Sequence, residues 1–158
     1  HYPLRRQRQM CIRDRSTITR LQNMGTPDYL ISAACQLVVA QRLARRNCKD
    51  CKIPDDDVNP KVLQDLGFSA EQASRVKAFR GKGCAKCNDT GYKGRQGIYE
   101  ILVVSKPIKE AILRQATTPE LREIAVKEGF QTMQDMGKRM IASGDLNFRE
   151  YERVLSSE

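Results

Sequence analysis

Two cysteine couples restrict what this chain can fold into more than any other feature. Cys48-Lys49-Asp50-Cys51 and Cys84-Ala85-Lys86-Cys87 both read C-x2-C, with residues 52–83 between them. Four thiolates in two such couples can close a tetrahedral site around one zinc ion, so any fold must bring two distant segments together. Turn residues follow each couple: Ile53-Pro54-Asp55 after the first, Asn88-Asp89-Thr90-Gly91 after the second. Catalytic zinc keeps an open position beside three protein ligands. Four cysteines therefore argue for a closed, structural Zn2+ site on Cys48, Cys51, Cys84 and Cys87. In a reducing compartment such couples are metal ligands rather than disulfides. A C-x2-C redox protein is the competing reading, and stoichiometric zinc without accessible thiols would exclude it.

The remaining pattern is mainly helical. From Pro27, Leu30, Ala33, Ala34, Leu37 and Val38 recur at helical spacing and predict a buried stripe. Cys35 falls within that helix as a small apolar residue. Val39 to Arg46 either extends the helix or enters a strand. Between the couples, Asn59-Pro60 opens a helix to about Leu66 with Gly67 as its stop. Ser69 and Gln72 form a capping box for a second helix to about Phe79. Gly91, Gly94 and Gly97 are expected to break the chain before a strand at Ile98–Val104. The simplest topology is a hairpin-like pair with a metal lobe at its tip. Such a lobe has too little core to fold without its metal. Four C-terminal amphipathic helices are expected to form a bundle. They start at Ser105, at Thr118-Pro119, at Thr132 and at Asn147, the last with Glu150 in a capping-box variant. The stripe of Met133, Met136, Gly137, Met140 and Ile141 is read as core.

The net charge of +9 is uneven. Residues 42–52 hold five basic residues against one acidic, and residues 75–95 hold seven against one. Cations there offset the charge of a tetrathiolate site. They also admit a zinc-dependent nucleic-acid-binding module, although interleaved aromatics for base stacking are missing. No apolar run approaches the roughly 20 residues of a membrane helix, and no secretory signal is visible. There is no G-x4-G-K-[S/T] phosphate loop, and Gly91–Gly97 precedes a strand instead of joining strand to helix. The one histidine is His1, so no histidine-activated nucleophile is available within the chain, and no catalytic residue is assigned. Asp55-Asp56-Asp57 is read as a solvated loop.

Several strings point to one family. They are Ser16-Thr17-Ile18-Thr19-Arg20-Leu21, Asn23-Met24-Gly25, Ala40-Gln41-Arg42-Leu43-Ala44-Arg45-Arg46 leading into Cys48, Phe79-Arg80-Gly81-Lys82-Gly83-Cys84, and Gly91-Tyr92-Lys93-Gly94-Arg95-Gln96-Gly97-Ile98-Tyr99-Glu100. Over residues 16–158 the chain resembles the C-terminal part of the type II/type IV secretion ATPases, most of all those that assemble type IV pili. The resemblance implies an α/β fold, mainly α in this segment: the end of a RecA-like P-loop ATPase domain with an inserted tetracysteine zinc lobe. It implies a parent that forms a cytoplasmic homo-hexamer, uses ATP and Mg2+, and meets a platform protein at the bacterial inner membrane. No specific nucleic acid and no transmembrane segment are expected. Cys48, Cys51, Cys84 and Cys87 carry over as the zinc ligands.

The family's Walker boxes lie upstream of the matched segment. A His-Thr-Asn-Asp-Ala box belongs just before Ser16, where Cys11-Ile12-Arg13-Asp14-Arg15 stands instead. Residues 1–15 are therefore expected to be a non-native leader, and the chain alone is expected to be inactive. The implied division is 16–47 for the end of the ATPase core, 48–91 for the zinc lobe, 92–104 for the returning strand and 105–158 for the helical bundle. Arg42, Arg45 and Arg46 are expected either at a subunit or anionic surface or along a solvated basic edge. Replacing Cys84 with serine is expected to loosen the lobe and spare the four C-terminal helices.

Overall fold

Each couple lies next to a strand. A computed structural model describes residues 14–155. Its elements are α1 (Asp14–Asn23), α2 (Asp28–Ala34), β1 (Leu37–Asn47), β2 (Lys52–Pro54), α3 (Pro60–Asp65), α4 (Ala70–Arg75), β3 (Phe79–Gly81), β4 (Tyr92–Val103), α5 (Lys106–Leu113), α6 (Thr118–Lys127), α7 (Met133–Ala142) and α8 (Phe148–Leu155). The fold is mixed α/β. β1 pairs with β4, and β2 with β3. Val104 N–H donates to Gln36 O near one end of the long pair and Cys48 N–H to Gly91 O near the other, so β1 and β4 run in opposite directions. β2 and β3 are antiparallel, with Ile53 opposite Arg80.

The chain forms two compact units. One comprises residues up to Gln41 together with Glu100–Gln131; the other comprises Arg42–Tyr99 and the chain from Thr132 onward. In the first, one face of the β1/β4 pair and helices α1, α2, α5 and α6 enclose Ile18, Ile31, Val38, Leu102, Ile108, Ile112 and Leu121. The opposite face shows Leu37, Val39, Ile101 and Val103, each 48–60% exposed. In the second unit the cysteine segment shares its fold with α7 and α8. Leu63, Ile98, Ile141 and Leu146 are among its fully buried side chains.

Local signals mostly act as expected. Asn59 caps α3 by accepting from Val62 N–H at 3.1 Å, and Ser69 and Gln72 close their capping box. The differences have identifiable causes. α2 stops at Ala34 because Cys35 is already extended, with ψ of 119°, and Gln36 enters the ladder with Val104. The β-branched pair Val38-Val39 then gains more from a paired strand than from a helix. Consequently Leu30 and Leu37 are exposed, and Ile31 is the large apolar residue that α2 buries, with Ser32 beside it. α4 ends at Arg75, because Val76 turns extended and Phe79 pairs in β3. β4 begins at Tyr92, six residues before the expected strand, and runs through Gly94 and Gly97 as the partner of β1. At α6 the cap is Thr117, whose N–H donates to Glu120 at 2.7 Å.

The four C-terminal helices divide between the units. α5 packs on α2 and α6, and α6 packs on α1, whereas α7 packs on α8. The expectation for residues 1–15 falls mostly outside the described residues. At the α7–α8 contact, a Cβ on Gly137 would lie 2.5 Å from a Leu155 methyl carbon and 2.7 Å from the Tyr151 ring. Gly137→Val should therefore destabilise the second unit by about 1–3 kcal/mol, measured by urea unfolding, through overpacking.

Candidate metal centre

β1 ends at Asn47, so Cys48 begins the first couple at the strand terminus, and a short 3-10 turn at Lys49–Cys51 brings Cys51 round to the same side. The second couple makes the same kind of turn at Ala85–Cys87, after which Asn88 and Asp89 adopt φ of 50° and 58°. Asn and Asp tolerate this left-handed region better than most residues, which is the physical content of the turn read at Asn88-Asp89. The β2/β3 pair closes the segment between the couples and brings the two turns face to face.

All four Sγ atoms lie within 4.8 Å of one another. Cys48 to Cys84 is 3.9 Å, Cys51 to Cys87 3.8 Å, and Cys84 to Cys87 3.7 Å. A regular tetrahedron with zinc–sulfur bonds of about 2.3 Å has sulfur–sulfur edges of about 3.8 Å, so these four cysteines could hold a metal ion of zinc's size. Among the described residues they are the one such cluster; the Asp55–Asp57 run forms none. Asp55 instead lies 3.5 Å from Arg80.

The surroundings treat the sulfurs unequally. Gly83 N–H donates to Cys51 Sγ at 3.3 Å, Cys84 N–H to Cys87 Sγ at 3.2 Å, and Gly91 N–H to Cys87 Sγ at 3.3 Å. Burial opposes ionisation of Cys87, but the backbone donors of Cys84 and Gly91 outweigh it and lower its thiol to about 7. Burial pushes the Cys51 thiol up to about 12, and neighbouring thiols add to this against the single Gly83 donor. A divalent cation removes that conflict by balancing charge among all four. Lys86 Nζ bridges to Asp50 at 2.6 Å, joining the x2 residues of the two couples.

Sequence reasoning missed three supports. Gly81 and Gly91 touch backbone to backbone: a Cβ on Gly81 would lie 2.0 Å from Gly91 O. The strings Arg80-Gly81-Lys82-Gly83 and Thr90-Gly91 carried this signal, but spacing alone does not say which glycines meet. Asn47 Nδ2 donates to Phe79 O at 3.1 Å and to Gly144 O at 3.0 Å, joining β1, β3 and the α7–α8 link. Phe79 in turn occupies the space beside Gly144, where a Cβ would lie 2.8 Å from its ring.

The third support is Glu150, fully buried on α8. It accepts from Arg45 N–H at 2.8 Å, from Arg45 Nη2 at 2.6 Å and from Arg153 Nε at 2.8 Å. Burial raises its pKa, but the two guanidiniums prevail and hold it down at about 2. The expected capping box is thus half made. Asn147 accepts from Glu150 N–H at 2.8 Å, while the Glu150 carboxylate turns to the arginines. Arg45 also stacks on the Tyr92 ring at 4.1 Å, Arg46 pairs with Asp145 at 2.8 Å, and Arg42 donates to Val154 O. Arg42, Arg45 and Arg46 thus each hold a partner within their own unit.

The type II/IV secretion system protein family matches residues 13–153. This chain belongs to that family. Among its relatives is the type IV pilus assembly ATPase PilB of Myxococcus xanthus, 35% identical over 134 residues, covering 85% of this chain and 24% of that protein. PilB of Thermus thermophilus is 41% identical over 120 residues, 76% of this chain and 13% of that protein. The type II secretion system ATPase E of Vibrio cholerae is 34% identical, covering 75% of this chain and 26% of its own length. The chain thus spans about a quarter or less of the relatives it matches. Of these three relatives, two are named as ATPases of type IV pilus assembly and one as an ATPase of type II secretion. Among the described residues no helix is long and apolar enough to cross a membrane.

Proposed function

We propose that this chain is the C-terminal part of a motor ATPase that powers type IV pilus assembly or type II secretion, contributing a structural zinc lobe. The observation that carries the reading is the four-sulfur cluster of tetrahedral dimensions, set between paired strands in a chain of this family. Cys48, Cys51, Cys84 and Cys87 would hold the ion. Zinc at such a site supplies folding energy and no chemistry on a substrate.

In the parent, a RecA-like core would continue the β1/β4 pair and cover the exposed Leu37, Val39, Ile101 and Val103 face, since open α/β sheets are covered on both sides. ATP and Mg2+ would bind to Walker boxes outside these 158 residues. The parent would work as a cytoplasmic homo-hexamer against an inner-membrane platform protein. Metal analysis of the purified chain should return one zinc per chain; a metal-free, fully folded chain overturns the lobe assignment. With Mg2+ present, ATP turnover by the same chain should equal the blank, and measurable turnover would refute the division of labour proposed here.

A further inference from the structure

The second unit contains an open cavity of about 390 Å³ lined by Leu43, Arg45, Arg95 and Arg153, well away in role from the cysteine cluster. We propose that this cavity binds a phosphate dianion. β1 supplies Leu43 and Arg45, which alternate onto one side of the strand; β4 supplies Arg95, and α8 supplies Arg153. Two of the three guanidiniums are fixed before any ligand arrives. Arg45 is stacked on Tyr92 and bound to Glu150, and Arg153 is bound to the same carboxylate. Glu150 is buried beneath them, with both of its oxygens accepting from these arginines. It therefore orients the arginines and does not compete for the opening.

Arg95 is exposed, and no hydrogen bond or ion pair is recorded for its side chain among the described residues. Three guanidiniums over one carboxylate leave about two positive charges at the opening, which matches a phosphate group carrying about −1.5 to −2 at pH 7. With their Nε and Nη2 edges on Glu150, Arg45 and Arg153 offer their remaining Nη donors, while Arg95 has its whole fork for a pair of phosphate oxygens; prefixed guanidiniums lose little freedom on binding. The exposed Leu43 side chain gives the cavity an apolar edge beside its charged wall.

Titrating the purified 158-residue chain with inorganic phosphate, and separately with phenyl phosphate, tests this through the arginine Nε–H resonances at constant ionic strength in chloride. Saturable shifts confined to Arg45, Arg95 and Arg153 are expected. Tighter binding of phenyl phosphate would identify an organic ester as the source, and equal affinity would identify free phosphate. Arg95→Ala should weaken binding about tenfold or more, as loss of a charge-assisted hydrogen bond requires. Its circular dichroism should stay unchanged. Arg75→Ala, which removes a guanidinium paired with Glu71 on α4, should bind as the parent chain does. Chloride producing the same shifts, or Arg95→Ala binding within twofold of the parent chain, would overturn the proposal.

Discussion

Cys84→Ser will release the metal and open the second unit while the first stays folded. Cys84 lies 3.9 Å from Cys48 and 3.7 Å from Cys87, so its loss removes a corner that touches both couples. Structural zinc contributes on the order of 10–16 kcal/mol to small domains of this kind, far above the stability of an ordinary fold. Hydrogen exchange should show amides of α3, α4 and β2/β3 losing protection. Those of the Ile108, Ile112 and Leu121 cluster should keep theirs, because that core holds no cysteine of the couples. The sequence alone suggested that all four C-terminal helices would survive. The structure alters that expectation: α7 and α8 share a unit with the couples, and Asn47, Phe79 and Gly144 bind them together. Stripping the parent chain with a chelator should reproduce the pattern. Zinc retained in Cys84→Ser, or loss of every protected amide in both units, would contradict it.

Glu150→Ala should cost the second unit about 1–3 kcal/mol, because it removes a buried carboxylate that accepts from Arg45 and Arg153, whose own side chains are about half exposed. Glu150→Gln keeps the shape and isolates the charge. The pH dependence has a definite sign. The carboxylate is lowered from 4.5 to about 2 in the folded chain, so its contribution is present above about 4.5 and is lost as the pH falls toward 2. A shift of that size corresponds to about 3 kcal/mol. Urea unfolding of the parent chain and of Glu150→Gln at pH 6 and pH 3 measures it. Because acid also protonates the thiolates, circular dichroism must first show the second unit still folded in both proteins at the lower pH; the difference between them then reports Glu150. A gap between the two that does not shrink on acidification would count against the buried ion network.

The four-cysteine cluster was legible because its members come as two fixed-spacing couples, each with a turn signal that acts locally. Helix caps at Asn59 and Ser69 were legible for the same reason, since both cap and capped N–H lie within three residues. The strands were harder. Leu30 to Val38 carries a helical period, yet the chain leaves the helix at Cys35, where Gln36 O accepts from the N–H of Val104, 68 residues further on. Glycines at 94 and 97 look like breaks until a neighbouring strand pairs with them. The role of Glu150 was hidden entirely: three residues after Asn147 it fits a capping box, and only the fold brings Arg45 to it.

By itself, the sequence determined the family, the four cysteines that can share one ion, and the local caps and turns, because each depends on residues close together in the chain or on strings specific to one lineage. Only the tertiary structure decided that α7 and α8 belong with the cysteine segment, that Gly81 meets Gly91, and that the basic run after Gln41 is spent on Glu150, Asp145 and Val154. Those outcomes depend on pairings across long stretches of chain, where burial and charge compensation, not local propensity, select the partner.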